Sequence, residues 1–240
     1  MNRALSKLSY RFRKLMPPLG FHGLKVRLSG AHVSWGVWKR VTRGDYEKPE
    51  LDALMALLKP EDRLLELGCG MGLVSGTVAK KYPLLQVQTY EANPSLLPVI
   101  HELHKMNDIR NVSVNNAVLV NSKTSGLRDF YLHKSFAVGS LVPPSITAVS
   151  TIQVDETDVR AVLSSFKPDV LLCDIEGGEA ELFPGLDLSG LRAVIVELHP
   201  LVIGRRAEAL IYDALAASGL YPRIELCSGT VVAFEAVAAA

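Results

Sequence analysis

Residues 170–179 read VLLCDIEGGE, a buried-strand pattern that ends in three carboxylates and two glycines. A core strand has no use for Asp174 and Glu176, because burying an uncompensated charge is heavily disfavoured. These two residues are two positions apart and therefore lie on one face of an extended chain. Glu179 follows the glycines and is expected in the first turn of a helix, where a carboxylate is favourable for structural reasons alone. Asp174 and Glu176 are therefore predicted to face a ligand.

A second group that can move protons follows the next apolar run, LRAVIVELH. His199 ends this run, and Glu197 lies on the same face two residues earlier. Imidazole exchanges protons near neutral pH, so Asp174 and His199 are the candidate bases for an acceptor proton, with Glu176 as the third catalytic candidate. The alternative for His199 is an ordinary structural histidine held before Pro200.

A metal ion is a minor alternative at the same place. Asp174, Glu176 and a substrate hydroxyl offer the oxygen ligands that Mg²⁺ prefers. No Asp-Asp or Asp-Asn pair accompanies them, so the sequence predicts no metal centre.

The segment LELGCGMG contains a GxGxG turn, formed by Gly68, Gly70 and Gly72. Glycines let the backbone turn sharply and let a ligand approach closely. A dinucleotide fingerprint would be GxGxxG, but Leu73 occupies the place of its third glycine. Glu66, two residues before the first glycine, would repel a pyrophosphate and attract a cation. The turn therefore favours S-adenosylmethionine, which carries an ammonium and a sulfonium but no phosphate, over a nicotinamide dinucleotide.

The remaining cofactor contacts are predicted at the ends of the next strands. Glu91 follows Gly72 by 19 residues and suits the ribose hydroxyls, which donate hydrogen bonds. Asn116, at the end of the third strand, is suited to the adenine edge. The predicted cofactor site is completed by residues beside these positions and by the aspartate after the fourth strand: Cys69, Ala92, Ala117 and Asp174.

The elements that position these residues follow from the hydrophobic pattern beyond about residue 50. Short apolar runs alternate with helix-periodic ones, which indicates βαβ units and a parallel sheet. The runs VLLC and AVIV are apolar throughout, as expected of central strands covered on both faces. The final segments PRIELC and VVAFEA predict an antiparallel hairpin. The sequence thus predicts a doubly wound, mostly parallel α/β sheet whose strand ends share one ligand-binding edge.

Two segments are candidates for covering this edge. The stretch 121–150 is irregular and proline-rich, so we expect an active-site cover that selects the acceptor. The residues from 155 to 166, DETDVRAVLSSF, are then predicted to form a helix. Before the sheet, an aromatic and acidic group is interpreted as core or as a lid over the donor: Trp35, Trp38, Tyr46 and Glu47.

The sequence predicts a basic leader, residues 1–48, ahead of a domain spanning residues 49–237. Residues 1–44 hold ten Lys or Arg and no acid, although the net charge of the 240-residue chain is only +1. Apolar residues at 3-4-3 spacing predict a short basic amphipathic helix: Leu5, Leu8, Phe12 and Leu15. This helix either packs on the domain or contacts an anionic acceptor or a membrane surface.

Three motifs carry a resemblance to a known family. LELGCGMG, YEANP and DIEGGEAELF, in this order and at these intervals, resemble the FkbM family of S-adenosylmethionine-dependent methyltransferases over roughly residues 60–200. The resemblance implies a Rossmann-like class I methyltransferase fold with a seven-stranded sheet. It also implies methylation of hydroxyl groups on sugars or secondary metabolites. The chain departs from the family at Leu172, where many members carry a lysine.

The predicted function is O-methylation of a small-molecule or glycan acceptor, with an anionic acceptor as one option and no nucleic-acid partner. An N-methyltransferase is the alternative, because an amine needs less base assistance. A non-catalytic module is disfavoured by the intact glycine turn and acidic pair. Three separated cysteines, no bilayer-length apolar run and no signal-peptide core predict a cytoplasmic location. The oligomeric state is left open.

Overall fold

The computed structural model describes residues 10–28, 33–122, 126–132, 139, 141 and 150–237. The strands are β1 Leu19–Phe21, β2 Leu24–Val26, β3 Arg63–Leu67, β4 Gln86–Tyr90, β5 Val112–Asn115, β6 Val118–Val120, β7 Leu127–Leu132, β8 Ser150–Asp158, β9 Val170–Cys173, β10 Ala193–Glu197, β11 Leu220–Pro222 and β12 Val231–Ala236. The α-helices are α1 Trp35–Arg43, α2 Lys48–Leu57, α3 Leu73–Lys81, α4 Leu97–Asn107, α5 Val159–Phe166, α6 Glu179–Leu182 and α7 Pro200–Ala217.

The main sheet has seven strands in the order β11-β12-β10-β9-β3-β4-β5. The strands from β10 through β5 pair in parallel, and β12 pairs antiparallel with both β10 and β11. β12 alone therefore runs against the other six strands. This confirms the predicted mostly parallel, doubly wound sheet with an antiparallel pair at its C-terminal end.

Two hydrophobic cores cover the two faces of this sheet. Leu64 and Leu172 belong to the core beneath α2, α3 and α4, whereas Leu65 and Leu171 belong to the core beneath α5, α6 and α7. Successive residues of one strand point to opposite faces, so a strand buried on both faces must be apolar at every position. Burial on both faces therefore explains why the runs VLLC and AVIV are apolar at every position.

A three-stranded sheet, in the order β6-β8-β7, lies outside the sequence-based prediction. The stretch 121–150 was expected to be irregular, but it contains β7, which pairs antiparallel with β8. The helix expected from residue 155 begins only at Val159, because residues 155–158 pair with β7 and β6. The Asp158 side chain then caps α5 by accepting a hydrogen bond from the Arg160 backbone N–H at 2.9 Å. Most of the predicted cover, residues 133–138, 140 and 142–149, lies outside the described residues.

Two other strand predictions need correction. The segment NVSVNNAV was expected to form one strand, but it divides into β5 of the main sheet and β6 of the smaller sheet. PRIELC was expected to form the first strand of the C-terminal hairpin. The pairing strand is instead β11, which ends at Pro222, and residues Ile224–Leu226 form a 3-10 turn.

The described part of the leader packs on the main sheet. Its hairpin β1–β2 and helix α1 contribute Phe21, Leu24 and Trp38 to the same core as Leu54 and Leu64. The amphipathic helix predicted near the N-terminus lies mostly at residues 1–9, outside the described residues. Of its apolar positions, Phe12 is 56% exposed and Leu15 is 84% exposed. In the described part of the chain, no helix has both the length and the apolar character needed to cross a membrane.

Candidate functional site

The site lies at the point in the sheet where the strand order changes direction. From β3 the chain proceeds outward through β4 and β5, and it later returns to the other side of β3 to form β9 and β10. Ligands of such sheets bind at this switch point, beyond the carboxyl ends of the strands. The loops after β3 and β9 touch there, because the Asp174 backbone N–H donates to the Leu67 carbonyl at 2.9 Å.

Gly68 makes this close approach possible. Its φ is +81°, and a Cβ on this residue would lie 1.7 Å from the Asp174 carbonyl oxygen. No side chain fits at that distance. The first glycine of the GxGxG turn is therefore required by the contact between two strand ends.

The first cleft, defined by Gly68, Gly70, Glu91 and Asp174, contains about 750 Å³ of empty space. Four acidic residues line it, and none of its described lining residues is Lys, Arg or His. One side is apolar and is formed mainly by these residues: Ala92, Ala117, Val118, Leu119, Phe130 and Leu141. A flat apolar ring and cationic or hydroxyl groups suit this lining, and a phosphate does not.

Glu91 is held rigidly at the edge of the first cleft. One carboxylate oxygen accepts from the Gly70 backbone N–H at 2.8 Å, and the other accepts from the Asn93 backbone N–H at 2.8 Å. Burial raises the pKa of Glu91 to about 7, although the two backbone hydrogen bonds act against this rise. Each carboxylate oxygen retains acceptor capacity, so the side chain can also bind ligand hydroxyl groups.

Some of the predicted cofactor residues lie beneath the first cleft without lining it. Glu66 is 1% exposed and faces Ser75 and Thr89 on the side of the sheet covered by α3. Burial raises its pKa. Asn116 donates to the backbone carbonyls of Glu91 and Ala92, at 2.8 and 3.1 Å. This amide therefore supports the loop that carries Glu91.

Of the other residues in the glycine turn, Gly70 lines the first cleft, whereas Cys69 and Gly72 pack against core residues. Gly70 lines the first cleft with a φ of +55°. Cys69 is buried in a small core with Leu96 and Ile100. Gly72 packs against Ile100, whose Cγ2 would lie 3.1 Å from a Cβ at this position.

His199 joins the carboxylates of the DIEGGE segment. Its Nδ1 lies 3.1 Å from Glu179 Oε1, while its Nε2 lies 3.3 Å from Glu176 Oε2 and 3.7 Å from Asp174 Oδ1. Burial acts to lower the pKa of His199, but Glu179, Glu176 and Glu197 together raise it above its ordinary value. The three catalytic candidates from the sequence are thus in one cluster.

A second cleft, defined by Glu50, Glu197, His199 and Thr230, opens on the other side of this cluster. Asp174 and Glu176 line both clefts. Five carboxylates surround the second cleft, and among its described lining residues the basic groups are Arg40 and His199. These are the five acids: Glu47, Glu50, Asp174, Glu176 and Glu197.

Crowding of these acids changes their protonation. Burial, followed by the charges of Glu197 and Glu47, raises the pKa of Asp174 well above its ordinary value. Burial also raises the pKa of Glu176 to about 7, with His199 acting in the opposite direction. For Glu50 burial raises the pKa to about 7 as well. Groups that titrate near neutral pH in a cleft are typical of functional sites.

Two of these glutamates have an unusual backbone. Glu47 has a φ of +45° and Glu176 has a φ of +51°, although neither is a glycine. Each costs on the order of 1–3 kcal/mol, and such conformations concentrate at binding and catalytic sites. Glu47 and its buried neighbour Tyr46 line both clefts, whereas Trp38 is 1% exposed in the core. The leader thus contributes both core and cleft residues.

Sequence reasoning missed two features of the cluster. Glu50 is 4% exposed and was passed over as an ordinary residue of α2. Glu179 does lie in the first turn of α6, as predicted, but it also binds His199. The spacing of 20 residues between Glu179 and His199 carries no local signal for this contact. Glu50 lies in α2, far along the chain from the strand ends, so no local signal links it to the cluster.

Comparisons with known proteins give only distant structural likenesses. No protein-family pattern and no curated protein matches this sequence. Precorrin-6y C5,15-methyltransferase from Geobacter metallireducens is 13% identical, with 83% of this chain and 91% of that chain covered and a TM-score of 0.49. M. jannaschii TYW2 in complex with AdoMet is 13% identical, with 91% and 85% covered and a TM-score of 0.45. A putative O-methyltransferase from Klebsiella pneumoniae is 14% identical, with 80% of each chain covered and a TM-score of 0.41.

The chain has a Rossmann-like α/β fold with a seven-stranded, mostly parallel sheet, as predicted. One strand of this sheet, β12, is reversed, and the glycine turn follows the central strand β3. Likenesses with these identities and TM-scores establish no activity, because one fold hosts many activities. The activity has to be argued from the two clefts.

Proposed function

We propose that this protein is an S-adenosylmethionine-dependent methyltransferase that methylates a hydroxyl group of a sugar, glycan or natural-product acceptor. One observation carries the proposal. The first cleft lies at the switch point of the sheet and presents a fixed carboxylate, Glu91, while its described lining residues include no Lys, Arg or His. A ligand with ribose hydroxyls and positive charge suits this lining, and a pyrophosphate would be repelled.

The residues of the first cleft have separate roles in donor binding. Glu91 accepts hydrogen bonds from the ribose hydroxyls, and the apolar side near Phe130 and Leu141 contacts the adenine ring. Gly70 lets the backbone approach the ligand closely. The carboxylates of Glu47 and Asp174, at the end shared with the second cleft, offset the positive charge of the donor.

The second cleft holds the acceptor beside the donor. When bound, S-adenosylmethionine supplies a methyl group whose C–S bond breaks, with its electron pair passing to sulfur, as the acceptor oxygen forms the new C–O bond. The protein aligns the two reactants and removes the hydroxyl proton. Asp174 and His199 lie between the clefts and receive that proton. Glu179, bonded to His199 Nδ1, orients the ring.

An N-methyltransferase is a second candidate, favoured by a specific observation. Five carboxylates line the second cleft, and a cationic amine would offset their charge better than a neutral hydroxyl would. An amine would also need less help from a base. The FkbM resemblance supports the hydroxyl acceptor instead, because the segment shared with that family supplies Asp174, Glu176 and Glu179 to the site. Leu172, where many members carry a lysine, is buried in the core.

We also propose that the basic leader brings the protein to an anionic surface. Near the start of its described residues, the leader presents Phe12, Leu15 and Arg11 to solvent. Apolar side chains next to basic ones are typical of helices that lie in a membrane interface. A lipid-linked or other anionic acceptor would be concentrated at such a surface.

Donor binding tests the proposed function directly. Calorimetry with S-adenosylhomocysteine should show one site per chain, and Glu91→Ala should weaken binding by about 1–3 kcal/mol, the usual cost of unpaired polar ligand groups. Glu61→Ala, which removes an exposed carboxylate, is the matched control and should bind normally. NAD⁺ should not bind. Absence of binding to the unmodified protein, or equal affinity in Glu91→Ala, would contradict the proposal.

The acceptor can then be found by incubating cell extracts with isotope-labelled donor and identifying the labelled product. A new C–O–CH₃ group supports the first candidate. A labelled amine supports the second.

A further inference from the structure

The cluster between the two clefts has the composition of a metal site. Single ligand atoms of Asp174, Glu197 and His199 all lie within 4.8 Å of one another. Two ligands about 2.1 Å from a common ion lie about 3–4 Å apart, so small side-chain adjustments would bring all three atoms into contact with one ion. We propose that Asp174, Glu197 and His199 bind a divalent metal ion that accepts mixed oxygen and nitrogen ligands, represented by Mn²⁺.

The orientation of His199 supports coordination through its Nε2 atom. Nδ1 lies 3.1 Å from Glu179 Oε1, and the Glu179 side chain is fully buried. An incoming cation that displaces the Nε2 proton would leave the other ring proton on Nδ1 and would meet the Nε2 lone pair on the side of Asp174 and Glu176. Metal-binding histidines commonly donate their other ring N–H to a carboxylate in this way. Glu197 is oriented similarly, because the Thr230 hydroxyl donates to its Oε1 at 3.0 Å.

A buried carboxylate oxygen without a hydrogen-bond partner is an independent indication of a missing cation. Glu50 is 4% exposed and lines the second cleft, and its Oε2 has no hydrogen-bond partner. The half-buried Glu197 carboxylate is its neighbour in that cleft. A buried acid beside a second acid is stabilised by a proton or a cation between them.

The histidine distinguishes a metal ion from an ammonium group. Carboxylates alone would be sufficient to bind a cationic amine. An imidazole supplies the nitrogen ligand that a transition-metal ion prefers, whereas an ammonium ion gains from it only one further hydrogen-bond acceptor. Two carboxylates and one imidazole are instead a set that first-row divalent ions accept. The sequence had offered Asp174 and Glu176 for Mg²⁺, so this set replaces Glu176 with Glu197 and His199.

The place of the ion gives it a role in the reaction, and this role rests on the proposed function. An acceptor hydroxyl bound to the ion would have a lowered pKa and would lose its proton more readily. With Asp174 and His199 bound to the ion, Glu176, which lines both clefts, would receive that proton in their place. Asp174 lines both clefts, so an ion bound to it would lie where the donor methyl group and the acceptor meet.

Metal binding can be measured without any donor or acceptor. We would treat the full chain with EDTA, remove the chelator and titrate it with MnCl₂, following bound Mn²⁺ by calorimetry and by loss of the free-ion EPR signal. One Mn²⁺ per chain is expected. His199→Gln and Glu197→Gln should each weaken binding at least about 10-fold, since even outer-shell changes cost that much. Glu61→Gln is the exposed-carboxylate control and should bind Mn²⁺ normally.

Each variant must first show the circular-dichroism spectrum and unfolding temperature of the unmodified chain, which shows that it is folded without relying on donor binding. The metal proposal is overturned if neither Mn²⁺ nor Zn²⁺ binds, or if both variants bind Mn²⁺ as well as the unmodified chain does. It is also overturned if methylammonium binds the cluster and Mn²⁺ does not. Mn²⁺ binding in a protein that ignores S-adenosylhomocysteine would support the metal site and contradict the methyltransferase.

Discussion

Asp174 and His199 reach the same cluster from the ends of the neighbouring strands β9 and β10. Their atoms are 3.7 Å apart, and Glu176 Oε2 lies 3.3 Å from the same ring nitrogen. Groups this close share protons and charge, so a change in one alters the protonation of the others. We therefore expect them to act as one unit in the reaction.

Substitution of Asp174 tests this unit. Asp174→Asn keeps the shape of the side chain but removes its basicity, so the methyl-transfer rate with the identified acceptor should fall by roughly 10²–10⁴. His199→Gln should have a similar effect, and the double variant should be little slower than either single one, because coupled catalytic groups are non-additive. Single-turnover rates measured with labelled donor are the appropriate readout.

Donor affinity provides the control. His199→Gln changes a residue of the second cleft alone and should bind S-adenosylhomocysteine normally, whereas the rate of Asp174→Asn is measured at a donor concentration that saturates that variant. Rate losses that multiply in the double variant would show that the two residues act independently. If Asp174→Asn transfers methyl groups at the normal rate, the DIEGGE carboxylates are not in the reaction centre.

At the scale of elements, backbone hydrogen bonds hold the glycine turn next to the end of β9. The Gly68 backbone N–H donates to the Tyr90 carbonyl at 2.9 Å, and the Asp174 backbone N–H donates to the Leu67 carbonyl at 2.9 Å. These bonds extend the pairing of β3 with β4 and β9 beyond the strands themselves. The loops that form the first cleft are therefore as firmly positioned as the sheet.

Gly68→Ala should destabilise the protein strongly. The new methyl group would meet the Asp174 carbonyl oxygen, and φ of +81° is itself unfavourable for alanine. Together these effects should lower the free energy of unfolding by about 3 kcal/mol or more, measured by urea denaturation. Gly185→Ala is a matched control, because Gly185 has a φ of +71° with no atom within 4 Å of a Cβ.

The control should lose only the conformational part, about 1–2 kcal/mol. Equal losses in the two variants would mean that the strand ends separate easily and that the contact at Gly68 does not hold the cleft together.

At the scale of the whole molecule, charge is distributed unevenly. Residues 1–44 carry ten Lys or Arg and no acid, whereas the remaining residues carry 16 Lys or Arg and 25 acids, a net charge of −9. Six of these acids line the two clefts, while the leader presents basic and apolar groups near the start of its described residues. The basic leader and the acidic clefts are therefore suited to different partners.

Replacement of the exposed apolar residues tests the leader. The unmodified protein should co-sediment with vesicles that contain phosphatidylglycerol, and the double variant Phe12→Ser, Leu15→Ser should bind them several-fold less, because buried apolar area contributes to interfacial binding. Leu84→Ser is the control, since Leu84 is 66% exposed but lies after α3 and outside the leader.

Binding should also weaken as salt is added, because salt screens exposed charges. Vesicle binding that is the same in the double variant and the unmodified protein would show that this part of the leader does not contact the surface.

Many of the site residues could be predicted from the sequence because their positions depend on the order of residues along the chain. The apolar runs, the glycine turn and the acidic residues after each strand follow one another along the chain, and a parallel sheet brings all such ends to one edge. This reasoning predicted the doubly wound, mostly parallel sheet, and it placed Asp174, Glu176 and His199 at neighbouring strand ends, where the structure brings them together. It also predicted a cofactor edge at which Gly68, Gly70 and Glu91 do line the first cleft.

Tertiary structure alone decided which of these groups share a space. The pairing of β8 with β6 and β7 overrides the helical pattern at residues 155–158, because long-range strand pairing satisfies backbone groups that a local pattern does not register. Glu50 and the preceding Glu47 reach the second cleft only because α2 packs against β10 and β12. Glu66 is an acid at the position expected for a cofactor contact. The alternation of side chains along β3, however, places it on the face of the sheet that α3 covers. Burial and side-chain direction arise from packing between distant segments, and these decide which predicted residues can touch a ligand.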